Sequence, residues 1–385
     1  MIDADRIPLA LYVHLPWCVR KCPYCDFNSH ALPAAGLPEG AYLAALLDDL
    51  DHAAAEAAGR EIVSVFFGGG TPSLFSGATI GAVLERARAL LPLAPDVEVT
   101  LEANPGTIER GRFETFAQAG VNRVSLGAQS FDDAALQRLG RIHLAGDIER
   151  AVHELRHAGI HNFNLDLMYA LPGQDLAGAL ADVRRALALG PTHVSHYQLT
   201  LEPDTPFARR PPPGLPQDDL ALEMQEACQA ALAAAGYAQY EVSAYARPGR
   251  RCRHNLVYWQ FGDYLGVGAG AHGKLSRGGR VERTARVRHP AEYLTAIAPA
   301  ARLAERREVA ERELPFEFML NALRLVDGFE ERDFTARTGS AAPALAVPLR
   351  RAVHRGLITG RDGHWAPTPL GLRFLTDLQA EFLPE

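Results

Sequence analysis

The sequence has 385 residues, of which 48% are hydrophobic, and it carries a formal net charge of −7 at pH 7. This length predicts one large domain with one or two smaller ones, and the apolar content is ample for a buried core. The negative charge excludes a general electrostatic attraction to nucleic acid or to anionic lipid, so we expect neither as a partner.

The first part of the chain has no predicted export signal or membrane span. Residues 1–6 are charged and short of an apolar core, so we expect no signal peptide and a cytoplasmic location. The longest uncharged stretch, residues 62–84, is interrupted by Gly68, Gly69, Gly70 and Pro72. These residues predict a buried strand, a turn and a helix there instead of a membrane-spanning helix.

Short apolar runs alternate with amphipathic stretches over the first 200 residues. The predicted strands are residues 9–14, 62–67, 97–102, 123–127, 162–168 and 193–199. The predicted helices are residues 41–58, 80–91, 108–118, 147–157 and 177–189, and Gly59, Gly120, Gly159 and Gly190 follow four of them as expected C-cap residues. Six β/α units in series predict an α/β barrel or partial barrel, in which chemistry collects at the C-terminal ends of the strands.

Three cysteines directly follow the first predicted strand. Cys18, Cys22 and Cys25 have the spacing C-x3-C-x2-C, and no fourth cysteine lies nearby. A structural zinc site normally has a closed set of four ligands. An iron–sulfur cubane held by three thiolates, in contrast, leaves one iron open to another molecule. The spacing therefore favours a cluster that takes part in chemistry.

Two other interpretations of the three cysteines are less favoured. Zinc could recruit His14 or His30 as a fourth ligand, but the remaining cysteines, Cys228 and Cys252, do not supply the second ligand pair that usually accompanies such a site. A disulfide needs an oxidising compartment, for which the sequence gives no sign.

Small and polar residues follow the later strands at the same predicted edge of the sheet. Residues 68–70 end the second strand in three glycines, Glu102 ends the third, and Gln129 follows the fourth. Arg141 can pair with a carboxylate, and Asp166 could bind a ribose diol. Each residue alone would be assigned a structural or solvated role, but their recurrence around one cysteine loop predicts a shared ligand.

The second half of the chain changes character. Residues 202–219 are proline-rich and predict a loop, residues 220–235 a helix and residues 237–243 a strand, before a glycine- and aromatic-rich segment at 254–273. The last predicted elements are helices at 314–325, 330–337 and 347–355, a hairpin of 357–359 with 364–366, and a helix that begins at Thr368 and Pro369. This order is typical of a winged-helix variant, for which the net acidity favours a lid or docking role over DNA binding.

Taken together, these residues closely resemble the radical S-adenosylmethionine (SAM) superfamily, and within it the group of oxygen-independent coproporphyrinogen III oxidases and related haem chaperones. The resemblance implies a partial TIM-type (β/α)6 radical SAM barrel over residues 1–240, with the [4Fe-4S] and SAM site. It further implies a barrel extension over 241–305 and a small C-terminal helical, winged-helix-like domain over 306–385.

The resemblance also implies the cofactors and their ligands. A [4Fe-4S] cluster would be held by Cys18, Cys22 and Cys25, and SAM would bind its open iron. By the same matching, SAM would be lined by Tyr12, Tyr24, Gly69, Gly70, Thr71, Glu102, Gln129, Arg141, Asp166, Thr200 and Gly270.

Two features favour the chaperones over the dehydrogenases of this group. The dehydrogenase motif continues to a fourth cysteine two residues after the third, whereas this chain has Phe27 there. In addition, His254, Asn255, Tyr258 and Trp259 match the H-N-x-x-Y-W motif of the haem chaperones, and we expect them to contact haem. A purely structural role of this segment is the alternative. Further options for an iron ligand are Cys252, His272 and His14, and nearby arginines at 247, 250, 251 and 253 suit haem propionates.

The sequence is therefore interpreted as a haem chaperone that carries haem as its cargo and passes it to an acceptor protein; a homodimer is left open. The first alternative is a coproporphyrinogen III dehydrogenase that performs radical oxidative decarboxylation. The second is another radical SAM enzyme that acts on a small molecule.

Overall fold

The computed structural model describes residue 2, residues 4–107 and residues 112–384. In chain order, the elements up to residue 200 are β1 (Leu9–Leu15), β2 (Trp17–Cys18), β3 (His30–Ala31), α1 (Glu39–Glu56), β4 (Ile62–Gly69), α2 (Gly77–Leu90), β5 (Leu93–Ala103), α3 (Arg112–Ala119), β6 (Arg123–Gln129), α4 (Asp133–Arg138), α5 (Ala145–His157), β7 (Phe163–Tyr169), α6 (Leu176–Ala188) and β8 (His193–Gln198).

The remaining elements are α7 (Pro206–Arg209), α8 (Asp218–Ala234), β9 (Ala238–Glu241), β10 (Ala244–Ala246), α9 (Arg253–Trp259), β11 (Asp263–Val267), β12 (His272–Arg277), β13 (Arg280–Arg286), α10 (Pro290–Thr295), α11 (Pro299–Arg302), β14 (Leu303–Glu308), α12 (Leu314–Ala322), β15 (Phe329–Glu330), α13 (Glu331–Thr338), α14 (Ala346–His354), β16 (Ile358–Arg361), β17 (His364–Pro367), α15 (Pro369–Arg373) and α16 (Leu375–Ala380).

One twelve-stranded sheet organises most of the molecule. Its strand order is β14-β13-β12-β11-β1-β4-β5-β6-β7-β8-β10-β9. The seven central strands from β11 to β8 are parallel, and the outer strands on both sides are antiparallel. Within the described residues no ladder joins the two edges, so the sheet forms a partial barrel and not a closed one.

The six predicted β/α strands are confirmed, with ends that differ by a few residues. They correspond to β1, β4, β5, β6, β7 and β8, and the mainly apolar side chains of these strands are largely buried, as a parallel sheet covered by helices requires. Gly59, Gly120, Gly159 and Gly190 all have positive φ angles, as expected of glycines that end helices. The predicted helix over 108–118 begins in residues outside the described ones, and the described α3 begins at Arg112.

Three segments hold more regular structure than was assigned from the sequence. The proline-rich segment, expected to be a loop, contains the short helix α7, which begins with Thr205 as its N-cap and Pro206 at N1. The glycine- and aromatic-rich segment at 254–273, for which no element was assigned, contains most of helix α9 and strand β11, and β11 pairs in parallel with β1. The expected strand at 237–243 ends at Glu241 and is followed by β10, so it forms a hairpin.

The C-terminal elements pack around a second hydrophobic cluster. Helices α12, α13 and α14 accompany a small sheet of order β15-β17-β16, and Thr368 caps α15 by accepting a hydrogen bond from the Gly371 N–H. This is the expected winged-helix-like arrangement, except that the last helix is divided at Phe374 into α15 and α16. Phe261 and Val281 of the large sheet region belong to the same cluster, so the two regions share buried contacts.

None of the described helices is both long enough and apolar enough to cross a membrane. The segment at 62–84 is divided into β4, a turn and the start of α2, as its glycines and proline predict.

Candidate functional site

A cavity of about 690 Å³ opens at the C-terminal ends of the parallel strands. This volume is in the range of small-molecule and cofactor sites, and the position is where barrel enzymes place their chemistry. The ends of β4, β5, β6, β7 and β8 contribute to it, together with the loops that follow β1, β4, β5 and β8. Of the residues singled out from the sequence, those that line the cavity are Cys18, Cys22, Tyr24, Cys25, Phe27, Gly69, Gly70, Thr71, Glu102, Gln129, Arg141, Asp166 and Thr200.

Each of the three cysteine sulfurs has a neighbouring hydrogen-bond donor. The Thr71 hydroxyl donates to Cys18 Sγ at 3.4 Å, and Arg141 Nη1 donates to Cys22 Sγ at 3.6 Å. The Ser29 hydroxyl lies 3.9 Å from Cys25 Sγ, and Ser29 itself is buried. Donors of this kind stabilise thiolates over thiols, which is the form that binds metal.

The three thiols do not by themselves form a site for a single metal ion. Within the described part of the chain, no three His, Cys, Asp or Glu side chains gather closely enough to hold one metal ion. A cubane binds each thiolate through a different iron, so its ligands stand further apart than those of a mononuclear site. His14, considered above as a zinc ligand, is instead hydrogen-bonded to the Tyr12 hydroxyl and to Asn28 O, and its burial lowers its pKa to about 4.

The glycines after β4 are required by the packing of the cysteine loop. A Cβ on Gly69, which has φ of +115°, would lie 2.5 Å from the His14 ring, and one on Gly70 would lie 2.6 Å from Trp17 O. Gly70 N–H donates to Leu15 O at 2.8 Å, and Thr71 N–H donates to Trp17 O at 2.8 Å. The missing side chains thus let the start of the cysteine loop lie against the end of β4.

Two half-buried carboxyl groups face the cavity. Burial, with a further contribution from Asp166, raises the pKa of Glu102 to about 8. Burial also raises the pKa of Asp166, whose oxygens accept hydrogen bonds from Ser125 Oγ at 3.1 Å and Asn164 Nδ2 at 2.8 Å. Carboxyl groups desolvated in this way gain strongly from a cationic or hydroxyl-bearing ligand.

The end of β6 is conformationally strained. Gln129 has φ of +67°, a region that residues other than glycine rarely adopt, and its side-chain oxygen accepts a hydrogen bond from the Tyr197 hydroxyl at 2.8 Å. Arg141 Nη2 donates to Gly127 O at 2.8 Å in the same region. Strain of this type is commonly retained where a strand end must present groups to a ligand.

Two residues of the expected SAM set do not line the cavity. Tyr12 lies beneath it, where its ring packs against Phe66 and His254 at centroid distances of 6.2 and 6.0 Å. Gly270 is covered by Asn28, because a Cβ at Gly270 would lie 2.1 Å from Asn28 Nδ2. Both residues therefore support the loops around the cavity from behind.

The H-N-x-x-Y-W segment forms helix α9 and packs into the sheet interior. His254 is only 4% exposed, its ring stacks on Phe66 at 4.6 Å, and burial lowers its pKa to about 3. Asn255, Tyr258 and Trp259 are half-buried. The contacts of His254 are those of a packed core residue, which is the structural alternative that the sequence left open.

Cys252 and two of the four arginines near it already have partners within the protein. Cys252 is 1% exposed, its thiol lies 3.5 Å from Glu98 Oε1, and burial raises its pKa to about 12. Arg251 pairs with Asp327 at 2.7 Å, and Arg253 pairs with Asp96 at 2.5 Å. Cys252 is thus poorly placed to meet an external haem.

Several cavity residues were not singled out from the sequence. Ser195 and Tyr197 come from β8, whose strand was predicted but whose side-chain direction was not. Arg20, Ser29 and Asp26 belong to the cysteine loop, so proximity to the cysteines could have indicated them. Arg324 lies far along the chain, in the C-terminal region, and no local pattern points to it.

Comparison with known proteins agrees with this architecture. A family model described as "Radical SAM superfamily" matches residues 12–186, and one described as "HemN C-terminal domain" matches residues 309–374. The protein named "Heme chaperone HemW" from Escherichia coli strain K12 is 48% identical over 379 residues, which cover 98% of this chain and 99% of that protein. The one from Haemophilus influenzae is 45% identical and covers 98% of both chains.

A solved structure supports the fold. The structure titled "Coproporphyrinogen III oxidase (HemN) from Escherichia coli is a Radical SAM enzyme" superposes with a TM-score of 0.82, covering 98% of this chain and 90% of that one at 22% identity. At this identity the likeness concerns the fold alone.

Proposed function

The chain belongs, over its whole length, to the radical SAM family that includes the "Heme chaperone HemW" proteins, and from this premise we propose that it binds haem and transfers it to an acceptor protein. Membership of the superfamily implies a [4Fe-4S] cluster and SAM as cofactors. Two full-length relatives named as haem chaperones support haem as the cargo.

Cys18, Cys22 and Cys25 would hold the cluster, with Thr71, Arg141 and Ser29 as donors to their sulfurs. The cluster would supply an open iron as a binding site for SAM.

The protein side chains would then orient SAM. The Glu102 carboxylate can accept from the SAM ammonium group, and Gly69 N–H already holds Glu102 Oε2 at 3.1 Å. Asp166 can accept from the ribose hydroxyls, and Tyr24, Gly70, Gln129 and Thr200 close the walls of the same cavity. Tyr12 and Gly270 act in this proposal as supports.

Phe27 is the residue that favours a chaperone over a dehydrogenase. Phe27 stands in the cavity two residues after Cys25, where a catalytic relative would have a cysteine, and it is 61% exposed. A phenyl ring cannot ligate metal or relay hydrogen, but its exposed apolar face is suited to a flat apolar cargo. Among the motif residues of α9, the half-buried Tyr258 and Trp259 are better placed than His254 to contact haem.

The decisive experiment reconstitutes the cluster anaerobically and then measures haem binding and coproporphyrinogen III turnover side by side. We expect saturable haem binding, transfer of haem to an apo-haemoprotein, and no decarboxylation. Conversion of coproporphyrinogen with stoichiometric 5'-deoxyadenosine would overturn the chaperone proposal in favour of the dehydrogenase.

Serine variants of the three cysteines test the cluster assignment separately. Cys18→Ser, Cys22→Ser and Cys25→Ser should each abolish cluster formation, whereas Cys228→Ser should keep the iron and sulfide content of the wild type, because Cys228 lies in the core of α8. Full iron content in any of the first three variants would contradict the assignment.

A further inference from the structure

Arg324 brings the C-terminal region to the cavity. It follows directly after α12, and among the described residues that line the cavity it is the only one that comes after Glu202 in the sequence. The cavity therefore extends from the three cysteines at one side to a guanidinium group of the C-terminal region at the other.

The guanidinium of Arg324 is held by two neighbours. Its Cζ lies 4.3 Å from the centre of the Trp259 ring, and its Nη2 donates to Glu241 Oε2 at 3.0 Å. The Glu241 side chain is 3% exposed, and its other oxygen accepts from Ser243. These contacts fix the orientation of the guanidinium and leave most of its donors available.

The Arg324 side chain is 28% exposed, so part of its guanidinium faces the open cavity. Its Nε is shielded from solvent and has no hydrogen-bond partner among the described residues, so a cavity ligand would meet the other N–H groups. A guanidinium can only donate hydrogen bonds, so a ligand that binds it must supply acceptor oxygens.

A carboxylate is the acceptor that best suits the Arg324 guanidinium. The guanidinium carries a full charge in a fixed planar geometry, which favours carboxylate oxygens over neutral acceptors. The cavity wall also includes Phe27, Met168 and Leu199, which are apolar. A ligand that is apolar over most of its surface and carries a carboxylate at its edge matches both the apolar wall and the guanidinium. Haem is such a molecule.

We propose that Arg324 binds a carboxylate of the haem cargo, so that the cargo lies in the cavity that contains the three cysteines. This inference rests on the proposed haem-binding function and specifies its site. It assigns α9 the role of placing the Trp259 ring beneath the guanidinium, with His254 as a core residue and not an iron ligand.

The experiment compares haem with haem dimethyl ester, in which both carboxylates are blocked, on the cluster-containing protein. The wild type should bind haem at least about tenfold more tightly than the diester, which corresponds to about 1.4 kcal/mol. Arg324→Met should lose this preference, because the substitution weakens the binding of haem and leaves the binding of the diester unchanged.

Arg185→Met is the matched control. Arg185 also stacks on an aromatic ring, that of Phe131 at 5.1 Å, and it pairs with Glu149, but it does not line the cavity. We expect this variant to keep the wild-type preference for haem over its diester. Iron content and thermal unfolding are measured for every variant, and Arg324→Gln replaces Arg324→Met should the latter fail to fold.

The outcomes separate the two proposals. Equal binding of haem and diester by the wild type, an equal loss in Arg324→Met and Arg185→Met, or a retained preference in Arg324→Met would overturn the carboxylate site and leave the haem cargo in place. Failure of the wild type to bind either compound would instead overturn the proposed function.

Discussion

At the scale of single residues, the cysteine loop is supported by side chains that the spacing alone does not reveal. Ser29 is buried, and its hydroxyl lies 3.9 Å from Cys25 Sγ. Hydrogen bonds to cluster sulfurs stabilise the more negative, reduced state and so raise the reduction potential. Ser29 would in this way adjust the cluster without holding it.

We expect Ser29→Ala to lower the reduction potential of the reconstituted cluster and to leave its iron content unchanged. The shift should be on the order of tens of millivolts, since one hydrogen bond is worth about 1 kcal/mol and 59 mV corresponds to a tenfold change for one electron. Ser276→Ala is the control, because Ser276 is equally buried but bonds to Asp263, which belongs to β11 and not to the cysteine loop. An unchanged potential in Ser29→Ala, measured by EPR-monitored titration, would refute this role.

The raised pKa of Glu102 predicts a pH dependence of stability in the cluster-free protein. Its pKa is raised from an ordinary 4.5 to about 8. The protonated side chain therefore contributes fully to the free energy of unfolding below pH 4.5, and this contribution is lost as the pH rises through 8. Glu102→Gln should therefore match the wild type at pH 4.5 and exceed its free energy of unfolding by at least about 1 kcal/mol at pH 9.

Glu39→Gln provides a control of opposite sign for this measurement. Although burial opposes it, hydrogen bonds from Ser76 and Thr79 hold the pKa of Glu39 below its usual value. Its replacement should destabilise the protein at neutral pH and become neutral as the pH falls through the pKa of the folded state. Parallel pH profiles of the two variants in urea unfolding would contradict the Glu102 argument.

Sequence patterns predicted most of the cavity wall because the carboxyl ends of parallel strands meet at one edge. Glu102, Asp166 and Gln129 could be placed together on that basis. Tyr12 could not be placed, because whether a strand residue faces the cavity or the layer beneath it depends on the barrel's packing. Arg324 could not be placed at all, because it reaches the cavity only through the docking of the C-terminal region.

At the scale of elements, helix α9 is the clearest case of structure imposed by distant contacts. It has only seven residues, too few to be stable alone, and the Cys252 N-cap makes no side-chain capping bond. Its first backbone N–H groups are bound instead by Glu98 of β5: Arg253 N donates at 3.0 Å and His254 N at 3.3 Å. The partner lies more than 150 residues away, so no local pattern could have predicted this helix.

Glu98→Gln should therefore loosen α9. One amide oxygen replaces two carboxylate oxygens that accept from this helix end, and the buried Arg123 loses a nearby countercharge. We expect about 2 kcal/mol or more of destabilisation, faster hydrogen exchange over residues 253–259, and weaker haem binding.

Asp96→Asn is the matched control for the α9 experiment. Asp96 lies on the same strand and pairs with Arg253, but this pair is exposed, with side-chain exposures of 70% and 42%. Exposed pairs contribute at most about 1 kcal/mol, so exchange over α9 should remain nearly unchanged. A similar increase of exchange in both variants would show that Glu98 has no special part in holding the helix.

At the scale of the whole molecule, the sheet and the C-terminal region are joined by apolar packing and by several ion pairs. Phe261 packs against Phe318 of α12 at 5.6 Å, edge to face. Beside it, Arg283 of β13 donates to Glu317 of α12 at 2.5 Å and to the Tyr264 hydroxyl at 2.6 Å. These links would let a ligand bound at Arg324 be sensed by both regions.

Glu317→Gln should weaken this connection in a pH-dependent manner. Burial alone would raise the pKa of Glu317, but Arg283 and Arg307 outweigh it and hold the pKa below its usual range. The ionised Glu317 side chain thus contributes to the free energy of unfolding above its ordinary pKa, and this contribution is lost as the pH falls through the pKa of the folded state. At pH 7 we expect a loss of about 1–3 kcal/mol, seen by calorimetry as a C-terminal transition that separates from the main one.

Glu308→Gln serves as the comparison for this last prediction. Glu308 pairs with Arg280 between the neighbouring strands β13 and β14 at 3.1 Å, but both side chains are more than half exposed, so its removal should cost less than about 1 kcal/mol. The difference between Glu317→Gln and the wild type should shrink as the pH falls through the lowered pKa of Glu317 in the folded state. A difference that does not change with pH would assign the effect to packing, and an unsplit transition at pH 7 would mean that the apolar contacts around Phe261 alone couple the two regions.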